Sequence, residues 1–537
     1  MKATKKKLQT GFNEIQLFIL AIICLFSLNA RANNIVVTNV SLVGQNTNAG
    51  INNSTNYSIV KFDISWNNSW RVSTGPSNWD AAWVFVKYRV GSGNWQHATL
   101  SSTKSDHTAP SGSTIDATSD GTGVFIYRNS EGTGNFSLTD VQLKWKYGLN
   151  GVTDASTISI SVFAIEMVYV PQGSFLIGSG GTESGSFTNG SWISGVSIPF
   201  EISSEGALGI DNVSGKLWGT STSGSNTIGN TNSDPEATIS SSYPKGFSAF
   251  YCMKYEISQG QYVAFLNTLT RIQQDLRTAT TLGVGTTSVT FRYVMCESSS
   301  IQSRNIIRCD ASIHASNPIT FYCDRDGDGI GNESNDGEFI SANFLSWSDL
   351  SAYLDWAGLR PMTELEFEKV CRGTTSSPTA NEYAWGTTSI IGATAISNSG
   401  LSNEIATNND ANVVYNSLIN GPMRSGAFAK SSTNRITSGA SYYGVFDMSG
   451  NVWERPITIG NSSGRAFTGL NGNGELSTNG ESDVSNWPGN SGDGAGFRGG
   501  RWNADTIRLR ISDRTGAASI ISGRNNDQGG RGVRTAP

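Results

Sequence analysis

Histidine is almost absent from this 537-residue chain, which has only His97, His107 and His314. Their spacing shows no pairing, so a zinc or iron centre built on imidazole has nothing to stand on. Cysteine is scarce too, six in all, and none falls in a CxxC or Cys/His pattern; structural cysteines are the reading that remains. Charged residues make up only 15 %, which excludes coiled coils, helical repeats and polybasic nucleic-acid binders, each of which needs a charge-rich sequence. No stretch beyond residue 32 is apolar enough to span a membrane. Glycine is abundant instead, 61 residues among many Ser, Asn and Thr, the composition of a loop-rich, β-rich chain long enough for two or three domains.

The first 32 residues have the three parts of a secretory signal. Lys2, Lys5, Lys6 and Lys7 precede an apolar run from Ile15 to Leu28, and Ala30-Arg31-Ala32 follows it, with cleavage expected after Ala32. The run of 14 residues is short for a bilayer span, which needs about 20. A lipidated Cys24 is the weaker option because Ile22 and Ile23 precede it. Cleavage removes five basic residues and one acidic one, leaving 33 basic against 42 acidic, a formal charge of −9. An acidic protein that is secreted or held in the cell envelope has no electrostatic case for nucleic acid or anionic lipid, and it can bind cations. The expected partner is an extracellular protein or a glycan.

From residue 33 to 165 about six short strand patterns follow one another between Gly, Ser, Asn and Thr clusters. The clearest sets Val141, Leu143, Trp145 and Tyr147 against Gln142, Lys144 and Lys146, one dry and one wet face. Strands at this spacing predict an all-β sandwich, with a barrel left open. After Glu166 the texture changes to α+β. Ser258 with Gln261, Ser346 with Asp349 and Thr363 with Glu366 are capping signatures that predict three helix starts. Long Gly, Ser and Asn stretches, such as Ser179 to Ser242 and Thr387 to Ser441, separate them.

Seven strings then stand in one order: Met167 to Ser179 (MVYVPQGSFLIGS), Phe250 to Asn267, Asn343 to Gly373, Tyr383 to Gly386 (YAWG), Gly444 to Glu454 (GVFDMSGNVWE), Phe497 to Trp502 (FRGGRW) and Gly532 to Arg534. Together, residues 166–537 resemble the formylglycine-generating enzyme, or sulfatase-modifying-factor, family. The resemblance implies an irregular α+β fold related to C-type lectins. It also implies a cysteine pair that binds copper and attacks a sulfatase cysteine. Counting from Gly499-Gly500-Arg501-Trp502, those positions here hold Ala504 and Leu509, and no cysteine lies beyond Cys371. Without a thiolate there is neither a soft ligand for Cu(I) nor a nucleophile, so no copper is expected. An iron-dependent branch of the family is disfavoured by the three scattered histidines. The reading is therefore an exported binding or structural module. The alternatives are a family enzyme with an unrecognised site, and a lectin-fold protein whose C-terminal segment is diversified by a retroelement.

Calcium is the expected cofactor, at two places. Asp324, Asp326 and Asp328, followed by Gly329, present hard oxygens at alternate positions around a tight turn, with Asn332, Asn335 or Asp336 to complete the set. The resemblance implies a second site from the side chains of Asp447 and Glu454 and the carbonyls of Gly450 and Val452; Asn412 resembles part of another. In the segment that faces the ligand in relatives, Trp502, Asn503, Asp505, Asn525 and Asn526 are the candidate binding surface, while Arg508, Arg510 and Arg514 read as internal ion-pair partners. Relatives have small or apolar residues at positions 252 and 371, so the joint appearance of Cys252 and Cys371 suggests a disulfide. It would close a loop of about 120 residues and contribute a few kcal/mol. Cys309 and Cys323, which bracket a 13-residue loop, are the second expected pair. Cys296 is then left free, or exchanges with Cys309.

Overall fold

The computed structural model describes residues 35–190, 196–220, 237–331, 333–374 and 376–537. The expected signal peptide, residues 1–32, and Asn332 lie outside these. Eight strands build the first part: β1 (Val36–Asn46), β2 (Tyr57–Arg71), β3 (Asp80–Val90), β4 (Gln96–His97), β5 (Ser113–Ala117), β6 (Val124–Arg128), β7 (Gly132–Trp145) and β8 (Ile158–Val170). β1, β2 and β7 form one antiparallel sheet. Its inner face, Val60, Phe62, Ile64 and Trp66 of β2 with Leu138, Val141, Leu143 and Trp145 of β7, packs on Ala82, Val84 and Val86 of β3 and on Val124 and Ile126 of β6. Two sheets across one apolar core are the expected sandwich.

The second sheet does not stop at the end of that sandwich. Its eight strands run in the order Arg360–Pro361, Gly532–Thr535, Phe250–Met253, β8, β3, β6 and β5, with β4 beside β3. β8 pairs with β3 along Ile158 to Val168 and with Phe250–Met253 through Met167 to Val170. The boundary expected between 165 and 166 therefore falls inside a single strand. Because side chains alternate along a strand, β3 serves two cores. Its even positions face the sandwich, while Ala81, Trp83 and Phe85 enter the core of the C-terminal part. There the Trp83 indole donates to the Ala357 carbonyl at 2.7 Å, and Phe85 meets Trp356 edge to face at 5.1 Å.

The C-terminal part is irregular, with four main helices: α1 (Gln259–Leu266), α2 (Arg271–Leu276), α3 (Trp347–Trp356) and α4 (Glu364–Arg372). The three predicted capping boxes form in full, the Ser or Thr oxygen accepting from the third backbone N–H and the Gln, Asp or Glu side chain accepting from the cap N–H. α2 has a fourth, Thr270 with Gln273.

α4 is buried along its whole length although it carries three glutamates. Glu364 accepts from Arg498 at 3.0 Å and from Arg514 at 2.8 and 2.9 Å, and Glu368 accepts from Arg498 at 2.8 Å and Arg372 at 2.7 Å. Arg514 is thus the internal ion-pair partner expected of it. This network fastens the 497–514 segment to the helix. Gly499 and Gly500 carry the chain away with φ of +82° and +78°; a Cβ on Gly500 would lie 2.5 Å from Leu509 Cδ1. The strand Gly532–Thr535 lies inside the sheet, where Arg534 stacks over Trp83 at 4.4 Å and donates to Asp120 at 2.5 Å.

Candidate functional site

The C-terminal face is built on the turn after Gly500. Trp502 is buried and donates its indole N–H to the Asn526 carbonyl at 3.0 Å. That carbonyl also accepts from Asn343 Nδ2 at 2.8 Å, and Asn526 Nδ2 donates to Ser303 Oγ at 3.0 Å. Arg501 Nε donates to Asn503 Oδ1 at 2.6 Å and lies 3.0 Å from Asp527 Oδ2. Trp502, Asn503 and Asn526 are thereby brought together, along with Arg501 and Asp527, which sequence reasoning left out. Asp505 instead caps its own turn through the N–H groups of Ile507 and Arg508. Asn525 is exposed, its carbonyl accepting from Phe344 N–H at 3.0 Å. Arg510, half-buried, donates to Asn381 Oδ1 at 3.0 Å, so it too has an internal partner. Behind the face an aromatic stack runs inward: Arg501 over Trp453 at 5.3 Å, Trp453 against Phe497 at 5.6 Å and Phe497 under Arg455 at 4.3 Å.

Beside this stack three carboxylates are buried together. Asp447, at φ +57°, accepts from Gly426 N–H at 2.6 Å. Glu454 pairs with Arg531, while its Oε2 is buried with no hydrogen-bond donor among the described residues. Glu256, on the approach to α1, is the member that sequence reasoning missed, because nothing in its spacing links it to the 444–454 string. It accepts from Asn451 Nδ2 at 2.6 Å, Ser425 Oγ at 3.0 Å and Val452 N–H at 3.2 Å. Burial pushes all three carboxyls up, and the neighbouring carboxylates push Glu256 and Glu454 further, against the pull of Arg531. A buried excess of negative charge with an orphaned oxygen fits a hard divalent cation. Asp447, Glu454 and the carbonyls of Gly450 and Val452 are the groups that would hold it.

The acidic loop is less open than its spacing implies. Asp324, Asp326 and Asp328 do come together, their nearest oxygens within 4.8 Å of one another, and Asp326, Glu333 and Asp336 form a second such group. Yet Asp324 is buried against Arg308 and accepts from Gly327 and Gly329 N–H at 2.7 and 3.1 Å. Asn335 donates to Asp326 at 2.8 Å. Asp324 is thus already paired inside the protein, and Asp326, Asp328 and Glu333 are the more open acids. Asn412 does not join either acidic group; it bridges Ile391 N–H and the Ile436 carbonyl at 3.0 and 3.1 Å.

Compared with protein families, residues 219–536, more than half of the chain, match the sulfatase-modifying factor enzyme 1-like domain. The chain belongs to this family. No curated protein matches it. Among solved structures it is similar to Treponema denticola variable protein 1, with 13 % identity over 63 % of this chain and 96 % of that one and a TM-score of 0.27. It is also similar to Major Tropism Determinant U1 Variant, with 13 % identity over 81 % of this chain and 96 % of that one and a TM-score of 0.22.

In this sulfatase-modifying-factor domain the positions counted for the copper-binding pair are filled with packing groups. Ala504 and Leu509 are buried in one apolar cluster with Tyr383, Trp385 and Val413, and the Leu509 carbonyl accepts from Ser449 Oγ at 2.7 Å. The cysteines that do exist correct the disulfide expectation. Cys252, Cys296, Cys309, Cys323 and Cys371 are all free. Cys252 sits mid-strand between Val168 and Val533, and Cys371 lies on α4 in the same apolar cluster, both as buried thiols. Burial pushes the Cys252 thiol up to about 12 and raises that of Cys371 as well. Cys309 faces Phe321 and Cys323 faces Ile307 in their hairpin. They are diagonal neighbours, with Cα atoms about 7–8 Å apart, beyond the usual span of a bridge.

Proposed function

We propose that this chain is an exported binding module with a C-type-lectin-like fold that does not carry out the oxidation associated with its family. The observation that carries the reading is the buried, apolar pair Ala504 and Leu509 at the positions of the copper-binding thiols. Chemistry through a thiolate has no group to start from there. What the same segment offers is recognition. Arg501, Asn503, Asn526 and Asp527 supply donors and acceptors beside Trp502, and the α4 ion-pair network holds that frame. Calcium in the Asp447–Glu454 cage supports the frame from behind, and export agrees with residues 1–32. The ligand is an extracellular glycan or protein.

The test is an array of glycans and extracellular proteins probed with the wild-type chain and with Asn503→Ala/Asn526→Ala in parallel. A ligand whose signal falls about tenfold or more in the variant, the effect of losing one or two good hydrogen bonds, supports binding at this face. A ligand bound equally by both proteins contradicts it.

A further inference from the structure

Of the two arginines in the aromatic stack, Arg501 has Asp527, while Arg455 has no acid paired with it among the described residues. It is 3 % exposed. Its Nη2 donates to the Ile521 carbonyl at 3.2 Å, while Nε and Nη1 are buried with no acceptor among the described residues. The guanidinium lies over Phe497 at 4.3 Å and Trp347 at 5.8 Å. A guanidinium is a permanent cation at neutral pH, so this is a buried charge. A buried charge without a partner is costly, and a hydrophobic residue of similar size would serve packing better. Room is kept for it as well: a Cβ on Gly492 would lie 3.2 Å from Nη2.

Arg501, the other arginine of the stack, has Asp527 at 3.0 Å, and Asp349, two residues along from Trp347, is taken by Arg277 and Arg524 at 3.5 and 2.7 Å. Over Arg455 lies the strap 518–523, which turns Ile520 and Ile521 to solvent at 56 % and 39 % exposure. The Ser519 N–H to Gly516 carbonyl bond, 3.1 Å, and the Arg455 contact are among the few bonds that hold it.

We propose that Arg455 is the receptor for an oxyanion, a carboxylate or sulfate group on an acidic ligand, which enters by displacing the 518–523 strap. An oxyanion bound across the Nε–Nη2 edge takes the place of the Ile521 carbonyl, so anion binding and release of the strap are one event. The aromatic faces of Phe497 and Trp347 hold the guanidinium plane ready for it. The inference rests on the binding reading above and gives that ligand its charge.

Thermal unfolding of the full chain and of Arg455→Met is measured in millimolar sodium glucuronate and sodium sulfate, each against sodium chloride at equal ionic strength, with glucose as the neutral probe. The expected result is a rise of about 2 °C or more for the wild type with glucuronate, sulfate or both, absent from Arg455→Met. The two salts separate a carboxylate ligand from a sulfated one. Equal shifts in the two proteins, or none with either salt, overturn the proposal. A glucose shift alone overturns it too and leaves the binding reading standing. If Arg455→Met does not fold, amide exchange in the wild type decides. Faster exchange in 518–523 with the anion than with chloride supports the strap mechanism, and unchanged exchange overturns it.

Discussion

Glu364, the first residue of α4, joins two buried arginines, Arg498 and Arg514. Its two oxygens accept from Arg498, from Arg514 twice, from Thr458 Oγ1 at 3.0 Å and from Ile459 N–H at 2.8 Å. Burial alone would raise its pKa; Arg514 and Arg498 outweigh that and hold it below the ordinary 4.5. A folded-state pKa below the unfolded one means that this stabilisation is present above about pH 4.5 and is lost as pH falls through the folded value. Glu364→Gln keeps the shape and removes the charge. Arg498 retains Glu368, but Arg514 is left with the Gly185 carbonyl at 2.9 Å. Uncovering one buried charge costs about 3–5 kcal/mol. At about 2–4 °C per kcal/mol, the melting temperature at pH 7 should fall by about 6–20 °C. Glu364→Gln/Arg514→Met should recover part of that loss, because it removes the stranded cation along with its partner. Circular dichroism melts of the three proteins check this. A melting temperature for Glu364→Gln within about 2 °C of the parent would refute the argument that the network carries the C-terminal frame.

Other consequences concern protons, calcium and thiols. Lys87, buried over Trp356 and donating to the Gly474 carbonyl, has its pKa pushed down to about 7 from 10.5 by burial. Between those values the unfolded chain binds the extra proton, so stability gains a rising slope with pH there, and Lys87→Met should lose that increment in melts from pH 6.5 to 9.5; parallel curves would contradict it. Millimolar calcium should stabilise the fold over excess chelator, by about 2.7 kcal/mol at a hundredfold excess over the dissociation constant, read as a higher melting temperature, and Asp447→Asn should reduce the rise. Identical curves with calcium and with chelator would count against the cage and the acidic loop together. Non-reducing peptide mapping should recover Cys252, Cys309, Cys323 and Cys371 as alkylated thiols, and a Cys252–Cys371 crosslink would show the free-thiol state to be wrong.

Local patterns were legible in the sequence wherever one physical rule acts over a few residues. The Ser258, Ser346 and Thr363 caps form as the sequence predicts, and Thr270 with Gln273 follows the same rule. The alternation from Val141 to Tyr147 places the buried face correctly. Contacts between distant segments were not legible. The shared use of β3 by two cores depends on which strands flank it, a property of topology that no window of sequence contains. Asp324 reads as a cation ligand by spacing and is taken by Arg308 from the facing strand. Glu256 and Arg455 carry no periodic signal; burial beside other carboxylates distinguishes the first, and burial without a hydrogen-bond acceptor for Nε and Nη1 the second. The cysteines misled for a related reason: the joint appearance of Cys252 and Cys371, or the short loop between Cys309 and Cys323, says nothing of reach, and in the hairpin the strand register sets Cys309 and Cys323 diagonally apart.

The central claim, that the family's oxidation is absent here, is tested most directly by turnover. The purified mature chain is supplied with copper, reductant and oxygen, and incubated with a cysteine peptide of the sulfatase motif. Mass spectrometry follows conversion of that cysteine. With Ala504 and Leu509 in place of the thiols, the expected result is unchanged peptide; a product carrying formylglycine that accumulates with enzyme concentration would contradict the account.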